Sequence, residues 1–248
     1  MDIPNTTRAA ALLLGACVLP TSAFAQPAHC VAASGPRPVQ VVELYTSEGC
    51  SSCPPADRWL STLKNRPGVL AAAFHVAYWD HLGWRDRFAN PAFTARQSQQ
   101  QRSSGARYVY TPQVLVNGRD WRRWPVLPPV DAEPAVVHIR LEREGDGRVA
   151  VQVAATGSAP PTLAAWWVLL EDGHESRVKA GENDGATLKH DHVVRRYVQR
   201  PAWNAGDGPQ RFAIDASRQG EGARPARLLF VVTDGSGGTP LQAAQLGC

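Results

Sequence analysis

The sequence predicts an α/β N-terminal lobe followed by an all-β, sandwich-like C-terminal lobe. Residues 39–126 alternate strand-like apolar runs with segments of helical spacing, whereas short β-rich runs alone follow residue 134. Between the two parts, residues 124–134 contain four prolines, which a long helix does not tolerate. We therefore expect one domain at residues 26–130 and a second at residues 131–248.

The first predicted strand covers residues 39–46. This run is apolar except for Gln40, Glu43 and its last residue, which is typical of a central strand covered on both faces. Residues 56–63 then place apolar side chains at helical spacing, and the pair Pro67-Gly68 should end that helix.

The next elements continue the alternation. Residues 69–79 form a second apolar run and predict a strand. Asn90 precedes a proline in the arrangement of an N-cap and a first helical position, which predicts a helix over residues 91–103. A short strand should follow at residues 113–116, and Asn117-Gly118 should form a hairpin turn.

The C-terminal part contains only strand signals. Glycine-rich and acidic turns separate several of its runs, which favours an antiparallel sandwich or a partial barrel. The predicted strands are residues 136–143, 149–154, 165–170, 192–198, 212–216 and 227–232.

Residues 1–25 have the form of a secretory signal peptide. Arg8 precedes an apolar stretch at residues 9–19, and Ala23-Phe24-Ala25 has the small-x-small form of a cleavage site. The stretch is shorter than the roughly 18 residues that a membrane span requires, so we expect no membrane span and a periplasmic or secreted protein. The alternative is a lipoprotein signal ending at Cys17.

Cysteine usage fits an exported protein. Of five cysteines, four would remain after cleavage, and an even number in an oxidising compartment favours disulfides. Cys50 and Cys53 form a C-x-x-C pair whose spacing makes them neighbours. The simplest pairing therefore joins Cys30 to Cys248.

The C-x-x-C pair is the leading candidate site. It lies where a strand pattern gives way to a helix pattern, and a helix N-terminus favours the reactive thiolate form of cysteine. We expect Cys50 to be the more exposed thiolate, forming a mixed disulfide with a protein or small-molecule thiol that Cys53 then resolves. The sequence thus predicts a thiol-disulfide oxidoreductase. Glu48 is expected to be exposed, and Asp57 to stabilise the helix N-terminus.

The order of these elements, together with the segment at residues 110–118, resembles the thioredoxin-like fold. The resemblance implies a cis peptide bond at Pro112 beside the cysteines, with the Thr111 backbone binding an extended substrate. Glu43 is similar to the buried acid that accepts a proton from the second cysteine. However, its distance along the strand from Cys50 differs by one residue, which turns a side chain to the opposite face. A paired structural acid and a strand-end carboxylate are the alternative roles.

A closer resemblance covers most of the chain. Residues 45–57, Tyr78-Trp79-Asp80, Tyr110-Thr111-Pro112-Gln113 and residues 181–185 are similar to an exported bacterial family known as domain of unknown function number 1223. Because the role of that family is not established, the resemblance implies a fold and a compartment rather than a reaction. Residues 181–185 are otherwise interpreted as a turn.

Two other functions remain open. The cysteine pair could be a structural disulfide in a redox-inactive binding or assembly protein. It could also bind copper with His75 or His81, in a copper carrier. His190 and His192 share one face of a strand and could form a metal pair, but no third ligand is identifiable. We therefore predict no resident metal or cofactor.

The formal net charge of +4 indicates little about partners. One cluster combines arginine and tryptophan side chains, which nucleic-acid-binding proteins often use. Mixed charge elsewhere and the predicted export favour a solvated turn and strand edge, so no nucleic-acid partner is predicted. The cluster consists of Arg119, Trp121, Arg122, Arg123 and Trp124.

Overall fold

The structure is a computed structural model that describes residues 1–2, 30–130, 133–217 and 224–248. The cleavage site predicted after Ala25 and the alternative lipidation at Cys17 lie outside the described residues. Neither described helix is long and apolar enough to cross a membrane.

The described ranges contain two α-helices, fourteen β-strands and three short 3-10 helices. The α-helices are α1 (Pro54–Ser61) and α2 (Pro91–Ser104), and the 3-10 helices are Asp80–Leu82, Gly145–Gly147 and Ala205–Asp207. The strands are β1 (Val31–Ala33), β2 (Gln40–Thr46), β3 (Val69–His75), β4 (Gln113–Val116), β5 (Arg119–Asp120), β6 (Val137–Arg143), β7 (Arg148–Ala155), β8 (Thr162–Glu171), β9 (His174–Arg177), β10 (Thr187–His190), β11 (Val193–Asn204), β12 (Gln210–Asp215), β13 (Ala226–Asp234) and β14 (Pro240–Leu246).

Local sequence determines where the helices begin. Helix α1 starts at Pro54 with Cys53 as its N-cap, so both prolines occupy the first turn, where no intrahelical N–H is needed. Before α2, the Asn90 side chain accepts a hydrogen bond of 2.9 Å from the Ala92 N–H. Gly105 caps the C-terminal end of this helix, and its φ of 83° favours glycine. The predicted helix at residues 91–103 is confirmed.

The strands form three sheets. The large sheet has eight strands in the order β14-β13-β8-β11-β3-β2-β4-β5, and it is mixed because β3 pairs in parallel with both β2 and β11. A small antiparallel sheet has the order β1-β6-β7-β12, and β9 and β10 form a separate two-stranded ribbon. The ribbon lies between β8 and β11 in the chain.

The predicted fold class is wrong. A separate thioredoxin-like α/β lobe followed by an all-β lobe is not what forms, because the large sheet takes strands from both halves of the chain. The strands of the two halves meet where β11 pairs in parallel with β3. Here the Ala73 N–H donates to the His192 carbonyl at 2.8 Å. Strands hold 42% of the described residues and helices, with the 3-10 helices included, hold 14%, so this part of the protein is mostly β-sheet. Hydrophobic periodicity identifies strands, but it does not indicate which partner covers an open strand edge.

The core lies on both faces of the large sheet. Along β2, Val42 and Leu44 pack toward α1, whereas Val41 and Tyr45 pack on the face that α2 covers through Phe93. The small sheet packs against the C-terminal strands on the same side as α1. Strand β2 is buried along its whole length, as the sequence predicts for a central strand.

A disulfide joins Cys30 to Cys248, which confirms the predicted pairing. Cys30 directly precedes β1 of the small sheet, and Cys248 follows β14 at the edge of the large sheet. The bond therefore ties the two sheets together. With a second disulfide at Cys50 and Cys53, the described part of the chain fits an oxidising compartment.

Candidate functional site

The C-x-x-C pair lies between the end of β2 and the start of α1. Cys50 and Cys53 form a disulfide with their Cα atoms 5.4 Å apart. The Cys53 carbonyl accepts the N–H groups of Ala56 and Asp57, which closes the first turn of the helix. Cys50 lies four residues before the first residue of that helix, so Cys53, the N-cap, is the cysteine next to the positive end of the helix dipole.

The two sulfur-bearing residues are not exposed. The accessible fraction of both Cys50 and Cys53 is 0%, whereas Ser51 and Ser52 between them are exposed. In the disulfide state neither cysteine is more exposed than the other, and the expectation that Cys50 is the more exposed thiolate stays a prediction for the reduced state. Other segments of the chain cover the disulfide, which the spacing within the motif does not reveal.

One part of the cover is the loop at residues 181–185, here called the cover loop. The Asn183 side-chain amide donates to the carbonyl oxygens of Glu48 and Cys50, both at 2.9 Å. The neighbouring Glu182 carboxylate accepts from the Ser51 N–H at 2.9 Å and from its hydroxyl at 2.8 Å. These contacts hold the cover loop on the disulfide segment, a role that its interpretation as a plain turn missed.

Thr111 and Trp79 form the other side of the site. The Thr111 hydroxyl donates to Cys50 Sγ at 3.3 Å and accepts from Trp79 Nε1 at 2.8 Å. The peptide bond between Thr111 and Pro112 is cis, as the resemblance implied. Gly49 allows this packing, because a Cβ there would lie 3.0 Å from the Cβ of Trp79. Substrate binding by the Thr111 backbone stays a prediction.

Glu43 lies on the opposite face of the sheet from α1. Its Oε2 accepts from Arg96 Nη2 at 2.7 Å and from the Tyr45 hydroxyl at 3.3 Å. Burial disfavours the charge on Arg96, but the Glu43 carboxylate, together with Tyr45 and Tyr197, outweighs this effect and raises the pKa of Arg96. Glu43 therefore has the contacts of a paired structural acid. The role of proton acceptor for Cys53 does not fit this placement, because alternation along β2 turns Glu43 away from α1.

Two acids beside the disulfide segment are buried with His190. Glu48 Oε2 accepts from Trp84 Nε1 at 2.8 Å, and Asp57 Oδ2 accepts from the Thr46 hydroxyl at 2.8 Å. Glu48 was expected to be exposed, and that expectation is wrong. Burial disfavours a charge on His190, but Asp57 and Glu48 together raise its pKa to about 9.

A second buried pair adjoins this group. His75 Nδ1 lies 2.7 Å from Asp86 Oδ2, and the same oxygen accepts the Glu48 N–H at 2.9 Å. Burial disfavours the Asp86 carboxylate, yet the contact with His75 and the hydrogen bonds from backbone N–H groups lower its pKa to about 2. The ring centroids of His75 and His190 are 5.0 Å apart.

The histidine pair suggested by the sequence, His190 with His192, does not share a strand, because β10 ends at His190. His81, one of the two candidate copper ligands, is exposed, and its Nδ1 contacts the Tyr78 carbonyl. His192 has a positive φ after the end of β10, and its surroundings include Arg227. Burial and the Arg227 charge lower the pKa of His192 to about 4. The structure instead brings together His75 and His190, which are distant in sequence.

A family model described as "Protein of unknown function (DUF1223)" matches residues 41–232. The chain belongs to the DUF1223 family. No curated protein matches it.

Solved structures support the architecture of this DUF1223 chain. The crystal structure of protein AGR_C_4864 from Agrobacterium tumefaciens is similar with a TM-score of 0.62 and 25% identity, over 84% of this chain and 94% of that one. HBP35 of Porphyromonas gingivalis also has a TM-score of 0.62, at 14% identity, over 86% of this chain and 76% of that one. The second likeness shows the fold alone.

The four sequence strings that resemble the DUF1223 family meet at one place in the structure. Trp79 contacts Thr111, Thr111 contacts Cys50, and Asn183 binds the backbone of the same cysteine segment. Their sequence separations reach 135 residues, so no local pattern relates them. The convergence identifies the disulfide and its cover as the principal candidate site.

Proposed function

We propose that this DUF1223 protein is an exported thiol-disulfide oxidoreductase that uses the Cys50 and Cys53 pair on protein or small-molecule thiols. The observation that carries the proposal is the hydrogen bond from the Thr111 hydroxyl to Cys50 Sγ, next to a cis proline and beside a helix N-terminus. A hydroxyl in this position stabilises a thiolate more strongly than a disulfide sulfur, because hydrogen bonds to charged groups are stronger.

The proposed exchange moves two electrons from a substrate dithiol to the disulfide. A substrate thiolate attacks Cys50 Sγ, the bond between the two cysteines breaks, and Cys53 leaves as a thiolate beside the α1 N-terminus. The second substrate thiolate then attacks the substrate sulfur of the mixed disulfide. Cys50 leaves as a thiolate that accepts the Thr111 hydrogen bond, and the two substrate protons pass to the cysteine pair.

Access to the disulfide requires movement of the cover loop. Both sulfur-bearing residues are fully buried, while the contacts that Glu182 makes with Ser51 are exposed to solvent. Exposed hydrogen bonds with few apolar contacts belong to segments that open at low cost. The exchange reaction therefore depends on an opening equilibrium at this loop.

A redox titration tests the proposal. The oxidised protein is equilibrated in glutathione buffers, thiols are trapped by alkylation, and the Cys50 and Cys53 peptides are quantified separately by mass spectrometry. A potential of roughly −120 to −270 mV supports the oxidoreductase, and one below about −300 mV contradicts it. The disulfide between Cys30 and Cys248 serves as an internal structural reference.

The burial of both sulfurs favours one second candidate. A redox-inactive binding or assembly protein would keep a permanent, covered disulfide. The two functions differ in their response to Cys50→Ser. In an oxidoreductase this change abolishes turnover and leaves folding intact, whereas in a binding protein its main effect is lower stability. Urea unfolding and insulin reduction, measured on the same preparation, separate the two.

A further inference from the structure

Three buried side chains from different elements point one ligand atom each toward a common place. Asp57 lies on α1, His75 ends β3 and His190 ends β10, and their candidate ligand atoms all lie within 4.8 Å of one another. Their exposed fractions are 7%, 0% and 2%. The chain thus brings two imidazoles and a carboxylate together inside the protein.

Several polar atoms at this place have no hydrogen-bond partner among the described residues. They are His75 Nε2, Glu48 Oε1 and both ring nitrogens of His190. Leaving one buried polar atom unsatisfied costs about 1–3 kcal/mol. Glu48 Oε1 and the two ring nitrogens of His190 have a partner of opposite charge within 4 Å, so His75 Nε2 is the atom that calls for a ligand. A protonated His190 between Glu48 and Asp57 would account for three of them, but it would leave His75 Nε2 without a partner.

The remaining atoms of the cluster are arranged as a supporting shell. His75 Nδ1 contacts Asp86 at 2.7 Å, and His190 Nε2 lies 3.3 Å from Glu48 Oε1. Metal-bound histidines use the second ring nitrogen in this way, on a carboxylate that fixes the ring orientation. That leaves three atoms for a ligand, namely His75 Nε2, His190 Nδ1 and Asp57 Oδ1, the last two 3.6 Å apart.

We propose that Asp57, His75 and His190 form a binding site for one divalent transition metal ion of the zinc type. Two imidazole nitrogens and a carboxylate oxygen are ligands that zinc takes, and three protein ligands leave a fourth position for water. Bond lengths of about 2.0–2.1 Å place tetrahedral ligand atoms roughly 3.4 Å apart. His190 Nδ1 and Asp57 Oδ1 are 3.6 Å apart, and the candidate ligand atoms of all three residues lie within 4.8 Å of one another.

Electrostatics and packing support this assignment. Three carboxylates contact the two imidazoles, Asp86 at His75 and Glu48 and Asp57 at His190, and their negative charge would attract a dication. Phe88 is buried against both imidazoles, with centroid distances of 5.2 Å to His75 and 5.7 Å to His190, and gives the site an apolar wall. The site involves neither cysteine, and its proposal does not rest on the proposed redox function.

Zinc binding to the oxidised full chain tests the proposal. After chelator treatment and confirmation that no free thiol is present, Zn²⁺ is titrated by calorimetry, and bound metal is counted by mass spectrometry. We expect one zinc per chain, with affinity lowered at least 100-fold by His75→Gln or His190→Gln. The matched control is His81→Gln, which changes an exposed histidine and should leave the affinity unchanged.

Two further measurements keep the test decisive if a histidine variant fails to fold. Asp86→Asn should lower zinc affinity by about 10–100-fold, because it removes the carboxylate that orients His75 but none of the three ligands. Zinc X-ray absorption on the unaltered protein should show nitrogen and oxygen ligands without sulfur. The proposal is overturned by absent stoichiometric binding, by sulfur ligation, or by binding that the combined change Cys50→Ser and Cys53→Ser removes.

Discussion

Replacing Asn183 by Ala isolates the contribution of the cover loop to the protection of the disulfide. The Asn183 amide satisfies two backbone carbonyls, those of Glu48 and Cys50, at 2.9 Å each. A net contribution of about 1 kcal/mol per hydrogen bond gives about 2 kcal/mol for the pair. If the loop must open before a reductant reaches Cys50, the open fraction should rise about 30-fold, since about 1.4 kcal/mol corresponds to a factor of ten.

The assay is the rate of disulfide reduction by dithiothreitol, followed by quenched alkylation and peptide mass spectrometry. We expect the pair Cys50 and Cys53 to be reduced about 30-fold faster in Asn183→Ala, with the other disulfide unchanged. Asn204→Ala is the matched control, because Asn204 caps an exposed turn by accepting from the Gly206 N–H at 2.8 Å. That control should leave the reduction rate of the covered disulfide within twofold of the unaltered protein.

One result would refute this reasoning. If Asn183→Ala lowered the unfolding midpoint while the reduction rate stayed within twofold of the control, the loop would not be the barrier. Protection would then come from the other side of the site, where Trp79 and Thr111 lie. A reduction rate that follows global unfolding in every variant would likewise exclude local opening.

Three other substitutions have distinct expected outcomes. Glu43→Gln should lower the free energy of unfolding by about 3 kcal/mol in urea, because Arg96 is left as an uncompensated buried charge, with no change in the redox potential. Thr111→Val should slow exchange with glutathione at pH 7 by about tenfold, because the Cys50 thiolate loses its hydrogen bond; an unchanged rate would contradict the proposed role. Replacing both Cys30 and Cys248 by Ser should lower the free energy of unfolding by about 5 kcal/mol, because the disulfide no longer restricts the unfolded chain. Calorimetry of the variant and the unaltered protein at the same pH measures the difference.

Local chemistry determined the parts of the fold that the sequence predicted correctly. The apolar run of β2, the Asn90 cap before α2 and the Asn117-Gly118 turn each act over a few residues. The pairing of Cys30 with Cys248 followed from two facts. The predicted mature chain has four cysteines, and the C-x-x-C spacing makes Cys50 and Cys53 partners of each other. None of these inferences needed knowledge of distant contacts.

The missed parts depend on contacts between distant segments. Strand β11 pairs with β3 through Val193 and Ala73, and nothing in either apolar run specifies that partner. The ribbon strands β9 and β10 have four residues each and carry mostly polar side chains, so their pattern does not stand out from a loop. The sequence alone could not show that His190 meets His75 rather than its near neighbour His192.

The ribbon of β9 and β10 connects the two proposed sites. Its turn carries Asn183 onto the backbone of the disulfide segment, and its last residue, His190, lies between Glu48 and Asp57. A zinc ion bound by His190 would fix the same ribbon that must move when the cover loop opens. Any free energy of zinc binding that depends on the closed ribbon therefore opposes opening of the cover loop, and by linkage opening must weaken zinc binding by the same factor. The two sites have separate ligands and chemistry, but their equilibria share this one mobile element.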